Sequence, residues 1–129
     1  MIEICDNLIV MSRDEAFVHK DGGYYIISVA KEWKDEFVNE YYSFTDDEKN
    51  SKEDLMRAVE NIKKRLDEGK KIIIYCNAGQ SRSPSIAYVA YTQFKDISID
   101  DLIQKMEDKG SWIAINGNFF IKLSNIYNL

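Results

Sequence analysis

The stretch Ile72-Ile73-Ile74-Tyr75-Cys76-Asn77-Ala78-Gly79-Gln80-Ser81-Arg82-Ser83-Pro84 decides the fold. Its first part is short, β-branched and apolar on both faces, as a strand at the centre of a sheet is. Pro84 stands where the first turn of a helix tolerates proline. Ile86, Val89, Ala90 and Phe94 then supply that helix with apolar positions. Strand, tight loop and helix therefore follow one another, with the loop from Cys76 to Arg82 between them. In open α/β sheets ligands sit beyond the carboxyl ends of the strands, which is where this loop lies.

Upstream of the stretch, Ser51-x-x-Asp54 reads as a helix-opening capping box. Leu55, Val59, Ile62 and Leu66 follow at helical spacing, and Gly69 is the stop, so a helix is expected over about 52–67. The first half is strand-like. Ile2 and Ile4 alternate with polar residues, Leu8-Ile9-Val10 follow an Asp6-Asn7 turn, and Tyr24 to Val29 follow Gly22-Gly23. Phe37, Val38, Tyr41 and Tyr42 mark a further strand or extended stretch. Downstream, Ser98-x-x-Asp101 opens a helix carrying Leu102, Ile103 and Met106 and ending at Gly110. Phe120, Leu123 and Tyr127 place a last helix in the tail, 119–129. The expectation is a single α/β domain over residues 1–129: a short, mainly parallel central sheet flanked by helices.

Composition narrows the function. Of the 129 residues 45% are hydrophobic, enough for a sizeable core at this length. Seventeen Lys and Arg against 22 Asp and Glu give a net charge of −5, which lacks the basic footprint of nucleic-acid binding and of anionic-membrane binding. No apolar run approaches the ~20 residues of a membrane span, and the first residues lack the pattern of a signal peptide. Two cysteines, Cys5 and Cys76, are too few for a disulfide framework and suit a reducing, cytoplasmic setting. One histidine, His19, makes no metal site by itself. Neither a metal nor an organic cofactor is implied, and a monomer is expected.

The loop carries the chemistry. A helix N-terminus offers unpaired N–H groups and the positive end of a dipole, and a loop curling before it aims more N–H groups at one point, which suits phosphate. Asn77, Ala78, Gly79, Gln80 and Ser81 would supply this cradle, with Gly79 allowing the tight turn. Arg82 adds a planar fork for two phosphate oxygens. The same field favours the thiolate of Cys76, a nucleophile able to attack phosphorus. Ser83 is placed to donate a hydrogen bond to the departing sulfur. The leaving oxygen needs a proton, and Asp46 or Asp47, in the acidic loop before the helix at 52, can give it and later take one from water.

From Tyr75 to Ser83 the sequence resembles the signature loop of the cysteine-dependent protein phosphatases, most closely the dual-specificity branch of the tyrosine phosphatases, where Cys-x-x-Gly-x-Ser-Arg-Ser is typical. The resemblance implies Cys76 as nucleophile, Arg82 as phosphate-binding arginine and Ser83 as leaving-group serine. It places the general acid about thirty residues before the cysteine, after a short strand, which selects Asp46 with Asp47 in reserve. It also implies a phosphorylated protein or peptide as substrate, hydrolysed at phosphotyrosine and, through a shallow pocket, at phosphoserine and phosphothreonine, with phosphate or another oxyanion able to sit in the loop. One position departs from the family: Tyr75 stands where a histidine usually precedes the cysteine. That departure keeps a second reading open, a pseudophosphatase that binds phosphoprotein without turnover. A rhodanese-type sulfurtransferase fits less well, since its loop brings the arginine one residue closer and leaves Ser83 without a purpose. Phosphoinositide or RNA 5′-end phosphatases fit the acidic composition poorly.

The remaining candidates have bland readings. Cys5 is expected in packing, His19 in a loop, and Lys63-Lys64-Arg65 on a solvated helix face. Trp33 and Trp112 are expected as aromatic core.

Overall fold

The computed structural model describes residues 1–111 and 117–129; Trp112 lies outside them. Five strands form one sheet: β1 (Ile2–Cys5), β2 (Leu8–Ser12), β3 (Tyr25–Ser28), β4 (Glu40–Tyr41) and β5 (Ile72–Cys76). Their spatial order is β1-β2-β5-β3-β4. Only β1 and β2 pair antiparallel; β5 pairs parallel with both β2 and β3, as β3 does with β4. The sheet is thus mainly parallel, with β5 at its centre and every residue of β5 buried. Register sets Ser12 opposite Cys76 and Ser28 opposite Tyr75, so the carboxyl ends of β2, β3 and β5 converge on one place.

The described residues also form five helices: α1 (Arg13–Val18), α2 (Lys52–Asp67), α3 (Arg82–Lys95), α4 (Ile99–Asp108) and α5 (Asn118–Ile126). Successive strand residues face opposite sides. Ile72, Ile74 and Cys76 therefore enter the large core, together with Leu55, Val59 and Ile62 of α2 and Ile86, Val89 and Ala90 of α3. Ile73 and Tyr75 enter a smaller core on the other face, with Met11, Ala16 and Ile26. The helix expected over 52–67 and those after the loop stand close to their expected places.

Local chemistry corrects several expectations. Ser51 Oγ accepts from the Asp54 amide at 3.1 Å, but the reciprocal half of the capping box is absent; Asp54 pairs with Arg57 at 3.4 Å. The full box is at Ser12 and Glu15, and it opens α1, a helix the sequence reading did not include. The stretch through Phe37, Val38, Tyr41 and Tyr42 contains only the two-residue β4. Arg65 is not merely solvated: its Nε donates to Glu40 Oε1 at 2.9 Å, and Glu40 also accepts from Tyr25 and Tyr42. This network ties α2 to β3 and β4. His19 closes α1, its Nδ1 2.9 Å from Glu15 O.

The large core predicts a mutational contrast. Ile62 is fully buried, whereas Met56 on the same helix is 37% exposed. Ile62→Ala should cost about 2–5 kcal/mol of unfolding free energy by denaturant titration, and Met56→Ala within about 0.5 kcal/mol. Equal losses would contradict this placement of α2.

Candidate active site

Strand β5 delivers Cys76 to the point where the chain leaves the sheet, and α3 begins six residues later at Arg82. Between them the loop turns through Gly79, whose φ is +72°. A Cβ on Gly79 would stand 2.9 Å from both Met11 C and Ser12 N, so the loop packs its back against the end of β2 where only glycine fits. Two further bonds hold the loop from behind. The Arg13 amide donates to Asn77 O at 3.1 Å. Trp33 Nε1 donates to Asn77 Oδ1, also at 3.1 Å. The amides of Ala78, Gly79, Gln80, Ser81 and Arg82 find no acceptor among the described residues.

In front of the loop lies a cleft of about 300 Å³ lined by Cys76, Asn77, Ala78, Gln80, Ser81, Arg82 and Asp46. Cys76 is 3% exposed, and its Sγ stands 3.1 Å from Ser83 Oγ, itself fully buried. Arg82 is 8% exposed. Its Nη1 donates to Glu32 Oε1 at 2.7 Å and to Phe44 O at 2.9 Å, and its Nη2 to Glu32 Oε2 at 2.7 Å. The Nε–H and the second Nη2–H remain side by side on one edge of the guanidinium. Glu32 thus grips the arginine end-on and leaves its lateral fork for a ligand.

The acidic loop approaches from the other side. Asp46 is exposed and accepts from Ser81 Oγ at 2.7 Å. Asp47 turns into its own loop, accepting from Thr45 Oγ1 and the Lys49 amide at 2.8 Å each. The Lys49 amide, and after it the Thr45 hydroxyl, hold the Asp47 carboxyl below its ordinary value. Of the two carboxylates, Asp46 lines the cleft. Asp46 and Arg82 also line a neighbouring hollow of about 480 Å³ with Lys31, Glu32 and Thr45. Lys122 of α5 donates to the carbonyls of Glu48 and Asn50 and so anchors the acidic loop.

A family profile, that of the dual specificity phosphatase catalytic domain, matches residues 8–128. The chain belongs to this family. Among solved structures, human DUSP28 is similar over 99% of this chain and 96% of its own, with a TM-score of 0.79 at 15% identity. A mouse candidate dual specificity phosphatase, crystallised with zinc tungstate, is similar over 98% and 85%, with a TM-score of 0.77 at 16% identity. The human tyrosine phosphatase-like serine/threonine/tyrosine-interacting protein is similar over 98% and 94%, with a TM-score of 0.71 at 17% identity. At these identities the likeness concerns the fold. No curated protein sequence matches the chain.

Within this dual specificity phosphatase fold the structure brings together every residue singled out in the loop, and Asp46 with them. Glu32, Asp35, Arg13 and the role of Trp33 were missed. Trp33 packs, partly buried, against both cores in keeping with the expectation, and its indole N–H also bonds the loop. Among the described residues no group of three His, Cys, Asp or Glu side chains could hold a metal, and no helix is long and apolar enough to cross a membrane.

The Arg82 bonds hold the Glu32 carboxyl down at about 2, against an ordinary 4.5. A carboxyl depressed on folding adds stability above its unfolded value and loses it as pH falls through its folded value. The melting-temperature gap between wild type and Glu32→Gln should therefore be full above about 4.5 and vanish as pH approaches 2. Glu32 is partly exposed, so added salt should narrow the gap as well. A gap that does not change with pH would show that the charge of Glu32 contributes nothing.

Proposed function

We propose that this dual specificity phosphatase domain hydrolyses phosphorylated protein through a covalent cysteinyl-phosphate on Cys76. The observation that carries the reading is that Cys76, its Sγ 3.1 Å from Ser83 Oγ, lines one cleft with Ala78, Gln80, Ser81 and Arg82, whose amides have no acceptor among the described residues. The phosphate oxygens take the free loop amides and the lateral fork of Arg82, with Asn77, Ala78, Gly79, Gln80 and Ser81 forming the cradle. The Cys76 thiolate attacks phosphorus; a P–S bond forms as the P–O bond to the substrate side chain breaks. Asp46 gives the leaving oxygen its proton. Water then attacks phosphorus, Asp46 takes a proton from it, and the P–S bond breaks. Ser83 Oγ donates a hydrogen bond to the sulfur as its negative charge returns.

Each role has a geometric support. Asp46 stands at the lip of the cleft, where a leaving oxygen departs, while Asp47 is occupied in its own turn. The cleft opens beside a second hollow, so residues flanking the phosphorylated side chain have room. Phosphotyrosine is the expected substrate, with phosphoserine and phosphothreonine also admitted. A free nucleophilic thiol suits the reducing cytoplasm, and turnover by a monomer needs no metal or organic cofactor, since the loop supplies both charge and nucleophile.

Two observations favour a second reading, a phosphate-binding module without turnover. Both terminal nitrogens of Arg82 are already engaged by Glu32, and a tyrosine precedes Cys76.

The test is hydrolysis of p-nitrophenyl phosphate and of a phosphotyrosine peptide in reductant without added metal. Wild type should turn over and Cys76→Ser should not. Asp46→Asn should lower the rate by about 10²–10⁴-fold, the usual share of a general acid. Asp47→Asn should leave it nearly unchanged. Tungstate binding without turnover by wild type would reject the enzyme and support the binding module.

A further inference from the structure

Tyr75 and Cys76 are neighbours on β5 and face opposite sides of the sheet. Cys76 faces the cleft and the large core, whereas Tyr75 is fully buried in the small one. Its ring stacks on Phe37 at 5.8 Å, and its hydroxyl donates to Asp35 Oδ2 at 2.6 Å. Asp35 also accepts from Arg13, whose Nη2 stands 3.0 Å from Oδ1 and Nε 3.4 Å from Oδ2. The Arg13 guanidinium lies near three rings: Trp33 at 4.7 Å, Phe17 at 5.1 Å and Phe37 at 5.9 Å.

Two members of this group reach the loop. The Arg13 amide and the Trp33 indole N–H take the two oxygens of Asn77, the first residue after the cysteine. Gly79 leaves no room for a Cβ against the backbone of Met11 and Ser12, just before Arg13. The group therefore holds the back of the loop at Asn77, next to the Met11–Ser12 backbone that meets Gly79, and Tyr75 adjoins the first residue of the loop in sequence. Its charges also cancel. Burial pushes the Asp35 carboxyl up, but the bonds from Arg13 and Tyr75 outweigh it and leave the carboxyl below its ordinary value, hence charged. Arg13 offsets that charge beside a loop built for anions.

We propose that Arg13, Trp33, Asp35 and Tyr75 are positioning residues for the Cys76–Arg82 loop, holding Asn77 from behind so that the free amides stay aimed at a bound oxyanion. None of the four lines the cleft. The proposal rests on the reading of this loop as a phosphate site.

The test uses Tyr75→Phe, Asp35→Asn and Trp33→Phe in the full chain. Tyr75→Phe keeps the buried ring, and Trp33→Phe removes the indole N–H from a partly exposed site, so neither need unfold the protein. Hydrolysis of p-nitrophenyl phosphate, tungstate affinity and melting temperature are measured for each. Misplacement of a reacting group costs up to about 10²-fold. Tyr75→Phe and Asp35→Asn should lower kcat/KM by about 10–100-fold, mostly in kcat, with tungstate affinity falling in parallel. The double variant should be scarcely worse than either single one, because both act through one network. Wild-type kcat and tungstate affinity in folded Tyr75→Phe and Asp35→Asn would overturn the proposal, as would full additivity. If wild type binds tungstate but does not hydrolyse, the phosphatase reading fails and tungstate affinity alone decides: weakening in the variants upholds the positioning role, and no change overturns it. A wild type that does neither overturns both.

Discussion

A loop that turns its amides toward a ligand cannot use them to hold itself together. The amides from Ala78 to Arg82 have no acceptor among the described residues, so the segment needs support from elsewhere. Support comes from three directions. The parallel ladder to β2 and β3 fixes the entry of the loop. Helix α3 fixes its exit, with Ser85 donating its amide and hydroxyl to Ser81 O. The β2–α1 junction holds its back, with Gly79 packed on Met11 and Ser12. Met11, Ala16 and Tyr75 of the small core lie on that same face.

Charge is arranged around the same need. In a chain of net charge −5, Arg82 stands in the cleft beside the loop amides that lack an acceptor among the described residues. Arg82 is nearly buried there, and a buried cation without a partner is costly. Glu32 removes that cost and fixes the plane of the guanidinium in one contact, at the expense of part of the attraction for a second anion. The end-on grip limits this loss, since the lateral fork is the part that meets phosphate oxygens bidentately. A guanidinium held in place also loses less side-chain entropy on binding than a free one.

The sheet order and the site differ in how far the sequence disclosed them. Ile72 to Tyr75 form a run apolar on both faces, which a central parallel strand produces, and the helices around it carried strong periodicity. The loop was legible because phosphate binding needs a glycine, an arginine and a helix start in one short stretch. Asp46 was preferred to Asp47 only with the family resemblance in hand, because two adjacent acids differ through contacts of their loop: Asp47 bonds to Thr45 and Lys49, and Asp46 does not. Helix α1 is six residues long, too short for a periodic signal, and Ser12-x-x-Glu15 was its one mark. Glu32, Asp35 and Trp33 act over 50, 40 and 44 residues of sequence, a pairing that no local pattern records. β4 is set by two ladder pairs to β3 and by the Glu40 network, which explains why its sequence predicted more strand than it forms.

The acid loop obeys the same logic as the phosphate loop, with its tethers placed differently. Thr45 to Asn50 close on themselves: the Thr45 amide donates to Asn50 Oδ1 at 3.0 Å, and Asn50 Nδ2 to Thr45 O at 2.8 Å. Lys122 reaches from α5 to the carbonyls of Glu48 and Asn50. These bonds leave Asp46 as the carboxylate turned toward the cleft, and Ser81 Oγ binds its Oδ1. A carboxyl that accepts a hydrogen bond on one oxygen carries its proton on the other. In the proposed reaction the Ser81 contact on Oδ1 would leave Oδ2 to exchange protons, so that both steps use one orientation of one side chain. Because Ser81 belongs to the phosphate loop, any shift of that loop would carry the acid's orientation with it. The proposed nucleophile Cys76 and the proposed acid Asp46, thirty residues apart in sequence, line one cleft.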